Sequence, residues 1–205
     1  MLRNSSGSGG TLPSEYQAVE YISNSASGAY LETLFVPHGN TTYFLRYTLN
    51  VNNEADRMVF GSNDGDYFEP YAYYQDGSQY QSRIYARNNT SRYQQIMVSG
   101  APQFVEMSAD YIKINGVDYP KTATVTVTRE LPIYIFAWNN NGAPEYYIPS
   151  GSKIYYLRCE LNGIAIADFV PCYRKADGVI GMFDTVAQVF YTNAGTGTFT
   201  KGADV

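Results

Sequence analysis

Polar and apolar residues alternate with a period of two along most of this chain, and the spacing of an amphipathic helix is almost absent. In residues 43–51, Tyr43, Leu45, Tyr47, Leu49 and Val51 fall on one side while Phe44, Arg46, Thr48 and Asn50 fall on the other, as in a strand with one buried face. Residues 122–128 repeat the pattern, with Ala123, Val125 and Val127 inward and threonines outward. Farther on, Tyr155, Leu157, Cys159 and Leu161 alternate with Tyr156, Arg158 and Glu160; Asn162-Gly163 then turns the chain and residues 164–169 return. An Asn-Gly pair between alternating runs is a strong hairpin signal. Asn115-Gly116 joins 111–114 to 117–119 in the same way, and Asp76-Gly77 joins 67–74 to 80–87. One helical signal stands against this: Ser14 and Gln17 have capping-box spacing behind Pro13, which predicts a turn or two of helix within 12–21.

Short strands divided by turn signals, with no helices between them and no fixed repeat, predict an all-β fold, a two-sheet antiparallel jelly-roll sandwich. The 205-residue length suits one such domain over residues 12–205, and the Gly/Ser-rich residues 1–11 are expected to be a flexible linker or cloning scar. A hydrophobic share of 44% supports a sizeable core. With a net charge of −5 and no basic run, a nucleic-acid surface is not expected. No apolar run approaches the roughly 20 residues of a membrane helix, so membrane insertion is not expected either. Cys159 and Cys172 lack metal-site spacing and are expected to be buried thiols.

Candidate chemistry is sparse. A retaining glycosidase needs two carboxylates about 5–5.5 Å apart. Glu54-Ala55-Asp56 begins the usual strand motif, but Arg57, Met58 and Val59 follow it, so no second Glu completes the pair. His38 is the only histidine and sits in the turn Pro37-His38-Gly39-Asn40, a poor place to hold a catalytic imidazole in register. No catalytic residues and no cofactor are expected. Asn63-Asp64-Gly65-Asp66 offers hard oxygens suited to Ca²⁺, with Asp64 and Asp66 as ligands, but an Asn/Asp/Gly turn has the same letters and is the preferred reading.

Tyrosine is the unusual component, 21 residues beside 10 Phe and one Trp. Strict alternation puts Tyr67, Glu69, Tyr71 and Tyr73 on one face of 67–74 and Phe68, Pro70, Ala72 and Tyr74 on the other, opposite a strand carrying Gln79, Gln81, Arg83, Tyr85 and Arg87. Rings beside amides and charges suit a sugar, whose C–H face stacks while its hydroxyls hydrogen-bond. Tyr71, Tyr73, Tyr74, Arg83 and Tyr85 are therefore candidate ligand contacts. Trp138, followed by Asn139 and Asn140, is either a stacking floor with amide walls or a core plug, and both readings stay open.

Three stretches carry a family resemblance. LPSEYQAVEYI at 12–22, GAYLET at 28–33 and the block 153–199, with its Asp168-Phe169-Val170-Pro171-Cys172, Asp177-Gly178-x-x-Gly181 and Phe190-Tyr191-Thr192-Asn193, resemble modules of the concanavalin A-like lectin/glucanase superfamily. Such modules, laminin-G-like in strand plan, recur in phage tail and baseplate proteins and in gut bacterial surface proteins. The resemblance implies a jelly roll whose terminal segments meet, carried on a virion or cell surface, with a cell-surface glycan as partner. The alternative is a structural or oligomerisation domain, even a homo-oligomer, within a larger tail or surface assembly; a glycoside hydrolase is a minor alternative. Within the closing block, Pro171 and Asp177-Gly178 predict a chain that leaves its sheet, bends and re-enters at 179–183.

Overall fold

The computed structural model describes residues 10–50, 58–63, 68–76, 79–86, 92–93, 100–108, 110–119 and 131–205, the strands between 63 and 93 by backbone register. Every regular element among them is a strand. In chain order they are β1 (Tyr16–Ala18), β2 (Ile22–Asn24), β3 (Leu31–Glu32), β4 (Thr41–Thr48), β5 (Phe60–Asn63), β6 (Phe68–Asp76) and β7 (Gln79–Ala86). There follow β8 (Arg92–Tyr93), β9 (Gln103–Met107), β10 (Ile112–Ile114), β11 (Val117–Tyr119), β12 (Tyr134–Ile135), β13 (Trp138–Asn140) and β14 (Ala143–Glu145). The last five are β15 (Lys153–Leu161), β16 (Ile164–Arg174), β17 (Ile180–Asp184), β18 (Val189–Thr192) and β19 (Phe199–Lys201).

They form two sheets packed as a jelly-roll-like sandwich. The larger runs β11-β10-β9-β4-β15-β16-β17-β18, with β1 beside β16 and with β2 bridging β15 and β19. The smaller runs β14-β13-β5-β6-β7-β8, with β12 joined to β5 and β3 to β12. The termini meet as expected: β1 pairs with β16, β19 with β2, and Val19 bridges Asp204. The core lies between the sheets. Tyr43, Leu45 and Tyr47 of β4 are fully buried, as the period-two pattern requires, and the Tyr43 ring meets Phe60 of the opposite sheet at 5.4 Å. Each such apolar side chain stabilises by about 1.5–3 kcal/mol.

The predicted Asn-Gly hairpins form, at Asn115-Gly116 between β10 and β11 and at Asn162-Gly163 between β15 and β16. Both residues of each pair take positive φ, 51° and 81° in the first and 53° and 78° in the second, as a type I′ turn demands. Asn141-Gly142, at 51° and 90°, makes a third between β13 and β14. β6 and β7 pair as expected, with Asp76 opposite Gln79. The strand predicted at 122–128 lies outside the described residues, as do residues 1–9.

Two local expectations fail. The capping-box spacing at Ser14 and Gln17 yields one turn, closed by the Tyr16 amide on the Pro13 carbonyl at 3.0 Å, before β1 begins. Gln17 does not reach back to Ser14 because its side chain turns toward the C-terminus instead, Nε2 donating to the Ala18 and Val205 carbonyls at 3.2 and 3.1 Å. Nor does the chain leave its sheet at Pro171. β16 continues through it to Arg174, since Pro171 sits where β15 ends as neighbour and β1 takes over, so no ladder bond requires its missing N–H. The Pro171 carbonyl still accepts the Val19 amide at 3.0 Å. The bend comes later, at Asp177-Gly178.

Cys159 and Cys172 are free and buried, as expected. Burial pushes the Cys172 thiol up to about 12 and holds that of Cys159 well above its usual value.

Candidate functional site

The outer face of the larger sheet carries an aromatic strip built by a β-bulge. On β15, Ile154 pairs with Tyr47 of β4, yet Tyr156 pairs with the adjacent Arg46, so Tyr155 is one residue in excess. A bulge of this kind turns two successive side chains to the same face. Ile154 and Leu157 point into the core, fully buried, while Tyr155 and Tyr156 are both half-buried on the outside. The expectation that Tyr155 shares the inward face of Leu157 and Cys159 is thereby corrected: the inward series is Ile154, Leu157 and Cys159.

Four rings follow one another across the strands. Tyr21, next to β2, meets Tyr155 edge-on at 5.5 Å, and Tyr156 meets Phe104 of β9 at 6.3 Å. Between them the exposed Arg46 lays its guanidinium 4.6 Å from the Tyr155 centroid, and Lys153 places its ammonium 4.3 Å from that of Tyr21. The Tyr155 hydroxyl lies 3.3 Å from that of Thr48. Desolvation pushes the Tyr156 phenol up to about 12 against the opposing pull of Arg46, so the ring presents a neutral hydroxyl at ordinary pH.

Beyond the strip the charges on this face are paired. Arg158 binds Glu160 at 2.7 Å and reaches Asp168 at 3.5 Å, Lys113 approaches Asp118 at 3.7 Å, and the Tyr111 hydroxyl donates to Glu106. Each of these four carboxylates therefore has a resident partner. None of these residues stood out in the sequence. The available signal was the step of three from Ile154 to Leu157, which leaves two tyrosines where alternation allows one.

A second bulge reorders the tyrosines of the smaller sheet. Tyr71 pairs with Arg83 and Tyr74 with Gln81, so Ala72 and Tyr73 together oppose Ser82. Register therefore puts Tyr71 and Tyr74 on one face with Gln81, Arg83 and Tyr85, while Tyr73 falls out of that set. Strict alternation had grouped Tyr71 with Tyr73 and separated Tyr74. Arg92 of β8, paired with Arg83, extends the row to Tyr71–Arg83–Arg92. Phe68, which pairs with buried Ser62, belongs to the opposite face.

Trp138 resolves as core. It is 5% exposed and its ring packs on Tyr146 at 5.2 Å, so it is no open stacking floor. Asn139 is 1% exposed and its amide is consumed locally, donating to the Pro132 carbonyl at 2.8 Å and accepting from the Gly142 amide at 2.7 Å. It shapes the β13–β14 hairpin; Asn140, half-buried, ends β13 beside it. A strand end beside three amides has the same letters whether the indole faces in or out. His38 is exposed, its turn closed by the Thr41 amide on the His38 carbonyl at 3.0 Å. Glu54, Asp56, Asp64 and Asp66 lie outside the described residues. Among those described, no three His, Cys, Asp or Glu side chains gather to hold a metal ion.

No family model matches the chain, and no curated protein is similar to it in sequence. Among solved structures, the fold is similar to the crystal structure of a protein from Bacteroides ovatus ATCC 8483 whose proposed role is carbohydrate binding, with a TM-score of 0.51 and 13% identity. The match covers 92% of this chain but 62% of that one, so the chain spans less than two thirds of the other protein's length. At this identity the likeness establishes a shared fold.

Proposed function

We propose that this chain is a non-catalytic glycan-recognition module, displayed on a cell or virion surface as part of a larger protein. The observation that carries the reading is the strip Tyr21–Tyr155–Tyr156–Phe104, two contacting pairs of half-buried rings on one face, with Arg46 of β4 between them and cations over two of the rings. Within the two pairs the ring centroids are 5.5 and 6.3 Å apart, a step comparable to the width of a pyranose, so successive sugars can each meet a ring. Three of the four rings stand on β-strands and Tyr21 directly precedes one, which keeps the ordering cost of binding low. The concanavalin A-like resemblance of the terminal segments and the fold shared with a Bacteroides protein of proposed carbohydrate binding point the same way. The register-matched face of Tyr71, Tyr74, Arg83 and Tyr85 is a second contact surface under this reading.

A glycan array probed with the immobilised module tests it. Retention of at least one glycan is expected, weakened about tenfold by Tyr156→Ala, since stacking on one ring is worth about 1–3 kcal/mol on comparable platforms. Retention of none, or turnover of a bound polysaccharide, would overturn it.

A further inference from the structure

We infer that the aromatic strip selects acidic oligosaccharides bearing a carboxylate on successive sugars. This rests on the glycan reading above and adds the class of glycan. Its basis is which charges on the outer face are spent and which are not. Arg158 is neutralised by Glu160 and Asp168, and Lys113 by Asp118. Arg46 and Lys153 are different: among the described residues neither has a carboxylate within ion-pair distance, and each is held over a ring instead. A cation parked on an aromatic face keeps its charge and most of its donors free. In a chain of net charge −5, two such cations on one strip form a local anion-attracting patch against the overall sign.

The spacing narrows the ligand. Lys153 pairs with Thr48, and Arg46 lies two residues before Thr48 on the same strand, so the two cations occupy a diagonal cross-strand position. Diagonal neighbours are about 7–8 Å apart at the backbone, and the two charged heads lie over different rings, Arg46 over Tyr155 and Lys153 over Tyr21. They serve two separate carboxylates. An oligouronate carries one on each ring, while its C–H faces meet Tyr155 and Tyr156. The planar guanidinium of Arg46 suits a bidentate carboxylate, and the ammonium of Lys153 acts as a point charge.

Titration calorimetry with an oligogalacturonate and with its fully methyl-esterified form separates charge from ring stacking, because esterification removes only the charge. The acid form is expected to bind at least about tenfold more tightly, with the advantage shrinking at high salt. Arg46→Met and Lys153→Met are each expected to cut that advantage to about threefold or less, with the melting temperature lowered by no more than a few degrees, the worth of the cation–π contact each removes. Arg46→Lys should fall between, since it keeps charge and loses the fork. Equal binding of acid and ester would overturn the charge inference and leave the glycan module standing. Binding of neither, with a neutral glycan retained on the array, would also overturn it. So would stronger capture of a single-stranded oligonucleotide, which would mark the patch as a phosphate site. No glycan binding of any kind would remove the module reading as well.

Discussion

Arg46 and Tyr155 stand in contact on the outer face of the larger sheet, the guanidinium 4.6 Å from the ring centroid, because β15 carries one residue more than β4 at this point. In an unbulged ladder Tyr155 would pair with Tyr47 and take the inward position that alternation assigns it, and Arg46 would have no ring to lie on. The bulge thus converts a surplus of chain length into a surface.

Deleting Tyr155 should therefore close the bulge without disturbing the core. Ile154 already faces Tyr47 and Tyr156 already faces Arg46, so removing the residue between them leaves an unbroken ladder, with Ile154 still inward, Lys153 still opposite Thr48 and the pairing of both with β2 intact. A loss of about 1 kcal/mol is expected, the worth of the cation–π contact and the edge contact that go with the ring. Tyr155→Thr keeps the residue count and should lose about the same. Urea unfolding of both variants decides it; a deletion several kcal/mol worse than the substitution would mean that the bulge itself holds the sheet together.

The same bulge shows where sequence stops being legible. Alternation gave β4 and the inward Leu157 and Cys159, and Asn-Gly pairs gave two hairpins, because these depend on residues adjacent in the chain. Bulges at Tyr155 and at Ala72-Tyr73 depend on the partner strand, so each reversed a face assignment built on strict alternation. Gln17 is similar: its capping-box letters are real, but its amide meets Val205, 188 positions away. Trp138 was undecidable because a strand end looks alike whether its indole faces core or solvent. The strip of Tyr21, Tyr155, Tyr156 and Phe104 joins residues from distant parts of the chain, and no local pattern announces it.

The buried thiols make stability pH-dependent in a definite direction. Cys172 ionises near 9 when unfolded and at about 12 when folded, and Cys159 is raised too, chiefly by burial in both cases. A raised folded value means the neutral form is favoured in the fold, so this contribution is complete below about pH 9 and is lost as pH climbs toward 12. Tyr134 and Tyr156, pushed from 10 to about 12 by desolvation, act in the same sense over the upper part of that range. Unfolding free energy should fall steadily between about pH 9 and 12, and less steeply in Cys172→Ala. Both thiols should resist a water-soluble disulfide reagent until the protein is unfolded. Stability that is flat or rising over this range, or a thiol that reacts in the folded protein, would contradict the burial.

Phe136 offers the sharpest test of the backbone. β12 pairs antiparallel with β5 and β13 pairs parallel with the same strand, so the chain must reverse between Ile135 and Trp138. It does so with Phe136 at a φ of 72°, a left-handed conformation in a bulky, fully buried residue. The position is fixed from both sides: its amide donates to the Val59 carbonyl at 2.8 Å and its carbonyl accepts the Ile148 amide at 2.9 Å. Its ring packs on Phe199 at 5.0 Å, which ties this reversal to the last strand. That packing offsets a left-handed penalty of about 1–2 kcal/mol. Phe136→Ala and Phe136→Gly both lose the ring, at about 3–5 kcal/mol. Alanine keeps the left-handed penalty, whereas glycine escapes it and gives up about 0.5–1 kcal/mol in unfolded-chain entropy. The glycine variant should therefore be the more stable of the two by about 0.5–1 kcal/mol, the reverse of their order at an ordinary strand position. Denaturant midpoints measured side by side settle the order, and an alanine variant that outlasts the glycine one would show that Phe136 does not hold the left-handed turn.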